Sequence, residues 1–315
     1  MHIKLVTYMR ASEYVNDGLR NALDLLKTLD SEVECIIFTD CARSFDGQMD
    51  VLVKNMVYPG TKYVRLLKLI NEEDKACLYI SIDNDMVLEP KNFINYVKSC
   101  VEKNVDFSWA RLMAQDNNHV ISKFVSVDKL LSHNIIRPLL WKMGVGLSIP
   151  GQCFLIRPLA FQNQLYEMDT FLDDLALGAF VSEHFKALNV YISDEVIGYE
   201  FPNETVKGLY RQRKRWAKGF YQILRASTGK NYFYKLCIHG IAYHMNWLFH
   251  WILILLFARL NLYIAVAYIL CCAILITNRR KSYFLWGILY QFVFPIFHFV
   301  WIINLIKGEK NSDNG

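Results

Sequence analysis

The chain has 315 residues, 53% of them hydrophobic, including 20 Phe, 18 Tyr and 7 Trp. Soluble domains hold roughly 45–50% apolar residues, so the excess points to apolar surface beyond one soluble core, and the length allows one large domain plus an appendage. The net charge of +5 gathers in "RQRKRWAKG" (211–219) and "NRRK" (278–281) beside apolar runs, a pattern suited to anionic lipid or phosphate and not to a nucleic-acid duplex.

The opening "MHIKLVTYMR" holds no apolar stretch long enough for a signal peptide. "IKLVTY" (3–8) reads as a buried strand, and Ser12 is placed to cap a helix whose Val15, Leu19, Ala22, Leu23 and Leu26 follow the 3.6-residue period. "VECIIFTD" (33–40) reads as a second strand, "KYVRLLKLI" (62–70) as a helix and "ACLYISID" (76–83) as a third strand. That alternation implies a parallel or mixed sheet with helices on its faces, and ligands of such sheets gather at the carboxyl ends of the strands. Asp40 and Asp83 both fall at such ends.

The third strand runs into Asp83, Asn84 and Asp85. Asp and Asn are good turn formers, so a polar turn is one reading. A divalent-cation site is the other, because Mg²⁺ and Mn²⁺ favour carboxylate oxygens and commonly bridge phosphates. Further on, "GQCFLIR" (151–157) follows a glycine-spaced loop, and "FLDDLALG" (171–178) sets Asp173 and Asp174 at the start of a helix. "RQRKRW" (211–216) carries Gln212, Arg215 and Trp216 in the spacing Q-x-x-R-W.

Residues 236–258 contain no Asp, Glu, Lys or Arg, and neither do 262–277 and 282–306 apart from their flanks. About 20 apolar residues span a bilayer core, so the first and third runs are long enough and the second is marginal. Lys and Arg bias places 211–235 and the "NRRK" loop on the cytoplasmic side and makes the first two runs a hairpin. The third run would then end outside, against its basic "KGEK", unless Pro295 turns it back. The 8 cysteines show no CxxC pair and no neighbouring His spacing, which argues against zinc or a disulfide framework and for a reducing, cytosolic setting.

Taken in order, these stretches resemble the membrane-bound family 2 glycosyltransferases of the GT-A fold, the group with cellulose, chitin and hyaluronan synthases and ceramide glucosyltransferase. "VTYMR" (6–10) resembles the opening motif, Asp40 the first aspartate, "DND" the DxD motif, "LDDLALG" the acidic base element and "RQRKRW" the QxxRW signature. The resemblance implies an α/β GT-A-like domain with a mixed, mainly parallel sheet followed by C-terminal transmembrane helices. The implied division is a cytosolic catalytic domain over 1–230 with an interfacial helix at 205–230, a membrane region of two to three apolar helices over 236–306 and a polar tail at 307–315.

The same resemblance implies a UDP-sugar donor, a lipid-linked or glycan acceptor, membrane lipids as partners and Mg²⁺ or Mn²⁺ as cofactor. It gives Asp85 to the metal, Asp83 to the nucleotide or ribose with support of the metal, both carboxylates lying in the nucleotide-sugar site, and Asp40 to the nucleobase. Thr7, Tyr8, Arg65, Gln152 and Arg157 fall to the nucleotide-sugar pocket. Asp174 would be the general base, with Asp173 as runner-up or helix cap. Gln212, Arg215 and Trp216 would serve the acceptor or diphosphate, while Arg211, Arg213 and Lys214 would be ordinary juxtamembrane charge. His184 has a metal-ligand reading and a structural one. The family includes processive synthases that need partner subunits as well as single-transfer enzymes. A nucleotide-sugar-binding scaffold without turnover is the alternative from another class. The implied location is an integral membrane protein with a cytosolic catalytic domain, in the cell inner membrane if the source is bacterial.

Overall fold

In the computed structural model, residues 2–9, 13–29, 32–39, 53–57, 60–72, 77–161, 165, 170 and 172–307 are described. The chain forms two compact units, one from residues 1–113 and 149–201, the other from 114–148 and 202–315. The sequence places its division near residue 230 instead. Helices after Ala114 and after Pro202 pack with the C-terminal helices.

The first unit is an eight-stranded mixed sheet. Its strands are β1 (His2–Met9), β2 (Glu32–Thr39), β3 (Val53–Val57), β4 (Leu78–Ile82), β5 (Val87–Leu88), β6 (Phe107–Ala114), β7 (Cys153–Ile156) and β8 (Val190–Glu200), in the order β3-β2-β1-β4-β7-β6-β8-β5. β3, β2, β1 and β4 are mutually parallel, whereas β7 runs antiparallel to β4 and to β6, and β5 antiparallel to β8. Period-two alternation sorts β1 between the faces: Ile3 and Leu5 enter the main apolar cluster with Ile80 and Ile82 of β4. β4 is buried along its whole length, as a central strand covered on both faces should be.

The helices of this unit are α1 (Asp17–Lys27), α2 (Lys62–Glu72), α3 (Pro90–Glu102) and, after two helices that belong to the second unit, α6 (Asp173–Glu183). α1 buries Leu19, Ala22, Leu23 and Leu26, the periodic positions legible in the sequence. Its cap is Asn16, whose side chain accepts from Leu19 N at 3.2 Å; the expected cap, Ser12, lies outside the described residues. α3 starts on Pro90, whose missing N–H costs nothing in a first turn, and buries Phe93, Tyr96, Val97 and Cys100.

The second unit is helical: α4 (Val120–Leu131), α5 (Arg137–Lys142), α7 (Val206–Ala226), α8 (Phe233–Gly240), α9 (Asn246–Leu260), α10 (Leu262–Thr277), α11 (Phe284–Val293) and α12 (Pro295–Lys307). α8 runs into α9 through one turn of π-helix, so 233–260 is a single helical run of 28 residues. It is the one helix among the described residues long and apolar enough to cross a membrane; α11 and α12 form a second candidate only if their 42° bend belongs to one span. α10 is shorter. The described cysteines are free.

Candidate active site

Asp83 is the first residue beyond β4, and its backbone N–H donates to the Gln152 carbonyl at 2.8 Å. Because β7 is antiparallel to β4, with Cys153 opposite Ile82, the start of β7 lies beside the end of β4. Gly151 and Gln152 therefore sit next to Asp83. Arg157 follows the other end of β7, where Ile156 pairs with Tyr79, and its Nε donates to the Val105 carbonyl at 3.3 Å. The four residues of β7 thus separate Arg157, expected in the pocket, from the Asp83 end of the strand.

Lys62, the first residue of α2, organises the site. Its Nζ lies 2.8 Å from Asp83 Oδ1, 3.0 Å from the Gly151 carbonyl and 3.5 Å from Asp173 Oδ2. Burial works against its charge, but Asp173 and Asp83 outweigh it and raise its pKa above the usual lysine value. One ammonium thus serves two carboxylates. Asp83 takes the hydrogen bond, and burial raises the pKa of Asp173, whose Oδ2 has no hydrogen-bond partner. Sequence reasoning read 62–70 only as a helix and missed Lys62; a lysine in the first turn, where the helix dipole disfavours it, was the available signal.

Asp173 and Asp174 open α6, yet the cap residue is Leu172, which makes no side-chain cap bond. The capping role weighed for Asp173 is corrected: its carboxylate faces Lys62. Asp174 is half-buried, its Oδ1 accepts from Leu175 N at 2.8 Å, and a Cβ on Gly151 would stand 3.1 Å from its own Cβ. Gly151 leaves the acidic pair room.

The DxD turn is tied down through its middle residue. Asn84 Nδ2 donates to the Tyr14 carbonyl at 2.8 Å and Asn84 Oδ1 accepts from Asn16 N at 3.1 Å, which locks the turn to the start of α1. That fastening leaves Asp83 and Asp85 for other work. Asp85 is exposed, but the protein around it desolvates the carboxylate, Asp83 adds like charge, and its pKa rises. A carboxylate held against its preference beside a second one fits a divalent cation, and Mg²⁺ or Mn²⁺ needs only one or two protein carboxylates when phosphates and water supply the rest. No group of three or more His, Cys, Asp or Glu among the described residues is arranged to hold a metal by itself.

A recess at the carboxyl end of β1 is lined by Thr7, Tyr8, Lys62, Ser81, Phe154 and Asp173. Thr7 Oγ1, like Asp173 Oδ2, is buried without a hydrogen-bond partner. Arg65 is 3% exposed, stacks its guanidinium 4.4 Å above the Tyr8 ring and leaves Nε and one Nη unpaired. Thr7, Tyr8 and Arg65 are thus together. Asp40 lies outside the described residues. His184 caps the end of α6, its Nδ1 3.0 Å from the Phe180 carbonyl and its ring stacked on Phe180.

Gln212, Arg215 and Trp216 belong to α7 in the second unit. Arg215 is exposed and Gln212 and Trp216 are half-buried. The buried member of this stretch is Arg213, which donates to Asp128 Oδ2 at 2.7 Å and stacks on Trp216 and Phe294. The expectation that Arg213 is ordinary surface charge is corrected. Its position on α7 turns it inward, while Arg211 and Lys214 face out as expected.

No family model matches the sequence, and no curated protein matches it. Among solved structures, the chain is similar to a mannosyltransferase from Pyrobaculum calidifontis in complex with GDP-Man and Mn²⁺. The TM-score is 0.52 and the identity 11%, over 98% of this chain and 87% of that one. A glucosyl-3-phosphoglycerate synthase from Mycobacterium tuberculosis with Mn²⁺, UDP and phosphoglyceric acid aligns at TM-score 0.47 and 14% identity, over 68% of this chain and 76% of that one. At such identities the first likeness establishes a shared fold and the second adds nothing to it. The mixed sheet fits the GT-A-like fold expected from the sequence.

Proposed function

We propose that the chain is a membrane-anchored, inverting family 2 glycosyltransferase that moves a sugar from a UDP-sugar to a hydroxyl of a lipid-linked or glycan acceptor. The observation that carries this reading is Lys62 bridging Asp83 and Asp173 at the carboxyl ends of the parallel strands, with the orphaned Thr7 Oγ1 in the same recess. Buried polar groups without partners are costly, and a bound polar ligand removes that cost.

Asp83 and Asp85 would hold Mg²⁺ or Mn²⁺, and the cation supplies neutralisation of the diphosphate leaving group. Lys62 adds a fixed positive charge beside it. Asp174 is the general base: the acceptor oxygen bonds to the anomeric carbon, the bond from that carbon to phosphate oxygen breaks with its electrons going to UDP, and Asp174 takes the acceptor proton. Asp173 is spent on Lys62 and is a positioning residue. Tyr8, Arg65 and Asp40 are proposed for the nucleotide, with Gln152 near the sugar. Gln212, Arg215 and Trp216 are proposed for the acceptor or diphosphate on their spacing alone. The apolar helices of the second unit supply the anchor, on the cytosolic face.

The test is product analysis after incubating membranes holding the full chain with labelled UDP- and GDP-sugars and Mg²⁺ or Mn²⁺. Transfer from one UDP-sugar, lost in excess chelator, is expected. Transfer only from a GDP-sugar removes the UDP assignment, and no transfer from any donor overturns the reading.

A further inference from the structure

We propose that the second unit holds a bilayer from one face with no net crossing. α9 and α10 form a hairpin that enters from the side on which α7 lies and returns to it, and α11–α12 bends back along α7. This rests on the membrane reading above and gives it a geometry.

α7 fixes the depth. It exposes Lys207, Arg211, Lys214, Arg215, Lys218 and Arg225 while burying Leu209, Ala217, Phe220 and Ile223. A helix with so basic a face lies among head groups and not in hydrocarbon. α12 packs along α7, and the Trp301 ring meets Phe220 edge-on at 5.2 Å. α12 therefore shares the depth of α7. The 42° bend between α11 and α12 at Pro295 is what turns the chain into that layer.

The long apolar run from 233 to 260 is held there too at its start. The His239 ring stacks on Phe220, and the His244 ring lies 3.7 Å from that of Trp301. From there run α9 of 15 residues and α10 of 16, about 22–24 Å of helix each at 1.5 Å per residue. A hydrocarbon core is about 30 Å thick, so neither leg crosses it squarely. Their outward faces are apolar: Leu255, Leu260, Leu262 and Leu275 are each more than 60% exposed. Arg259, at the tip, is long enough to carry its charge onward to the far head groups.

The return is anchored. Just past α10, Arg280 donates to the Ala114 carbonyl at 2.9 Å and pairs with Asp116 at 3.3 Å, and Lys123 pairs with Asp116 at 2.6 Å. Asp116 is half-exposed and lies two residues beyond β6 in the chain. An ion cluster of Arg280, Lys123 and the half-exposed Asp116 does not enter hydrocarbon, so α10 ends at the water interface.

The experiment uses the full chain with sealed phosphatidylglycerol–phosphatidylethanolamine vesicles. One epitope is inserted at the exposed turn at Gly229 and another at the C-terminus. Flotation with the vesicles, resistance to alkaline carbonate and both epitopes on the same face are expected. Epitopes on opposite faces overturn the one-sided geometry and leave the membrane reading standing; failure to float removes that reading itself. Leu255→Glu with Ile274→Glu, both at exposed positions, should abolish carbonate resistance without shifting the melting temperature. Retained resistance in that variant overturns the hairpin as the anchor. Sugar transfer in detergent is a separate readout, so a failed anchor and a failed enzyme are told apart.

Discussion

Asp83 and Asp85 show how two like residues two positions apart divide the work. Asp83 is bonded to Lys62, whereas Asp85 is left beside a like charge with its pKa raised. A raised carboxylate pKa means that protons compete with a cation at higher pH than for an ordinary aspartate. Mn²⁺ affinity, followed by titration between about pH 4 and 7, should therefore fall with acidification before ordinary carboxylates titrate, and a flat profile would contradict the assignment. Asp85→Asn should remove nearly all transfer. Asp174→Asn should lower it by about a hundredfold or more with donor binding retained, the scale for a lost base. Asp173→Asn should instead weaken donor binding, because it releases Lys62. If Asp173→Asn alone stops transfer at saturating donor, the two roles are reversed.

At the scale of elements, two contacts decide what the motifs can do. α1 approaches the DxD turn so closely that a Cβ on Gly18 would stand 1.8 Å from the Met86 carbonyl oxygen. Backbone cannot swing aside as a side chain can, so Gly18→Ala should cost about 1–3 kcal/mol in chemical denaturation, the range for overpacking. An unchanged midpoint would show that α1 moves freely from the turn. On α7, Arg213→Ala leaves Asp128 with the Tyr290 hydroxyl and should cost about 2–4 kcal/mol, below the range for a fully buried pair because the Asp128 side chain keeps 21% exposure. Arg215→Lys keeps the charge and loses only the planar fork, so it should spare folding and reduce transfer. A wild-type rate for Arg215→Lys would leave α7 as an anchor and nothing more.

For the whole molecule, a chain ended after residue 230 should aggregate, because α4 loses α10 and α11 and α7 loses α12, exposing Phe220. A monomeric product with a cooperative melt would show that the units are independent. The alternation of apolar runs determined β1, β2, α2 and β4, and their order was enough for an α/β sheet with Asp83 at a strand end. Local periodicity and chain order fix such features before any folding. The charge-free runs likewise determined the apolar helices. The partner of each side chain was decided only by tertiary structure, because partners lie far apart in sequence. Lys62 meets Asp173 across more than a hundred residues, antiparallel β7 carries Arg157 away from Asp83 while keeping Gln152 beside it, and the turn of one helix puts Arg213 inside and Arg215 outside.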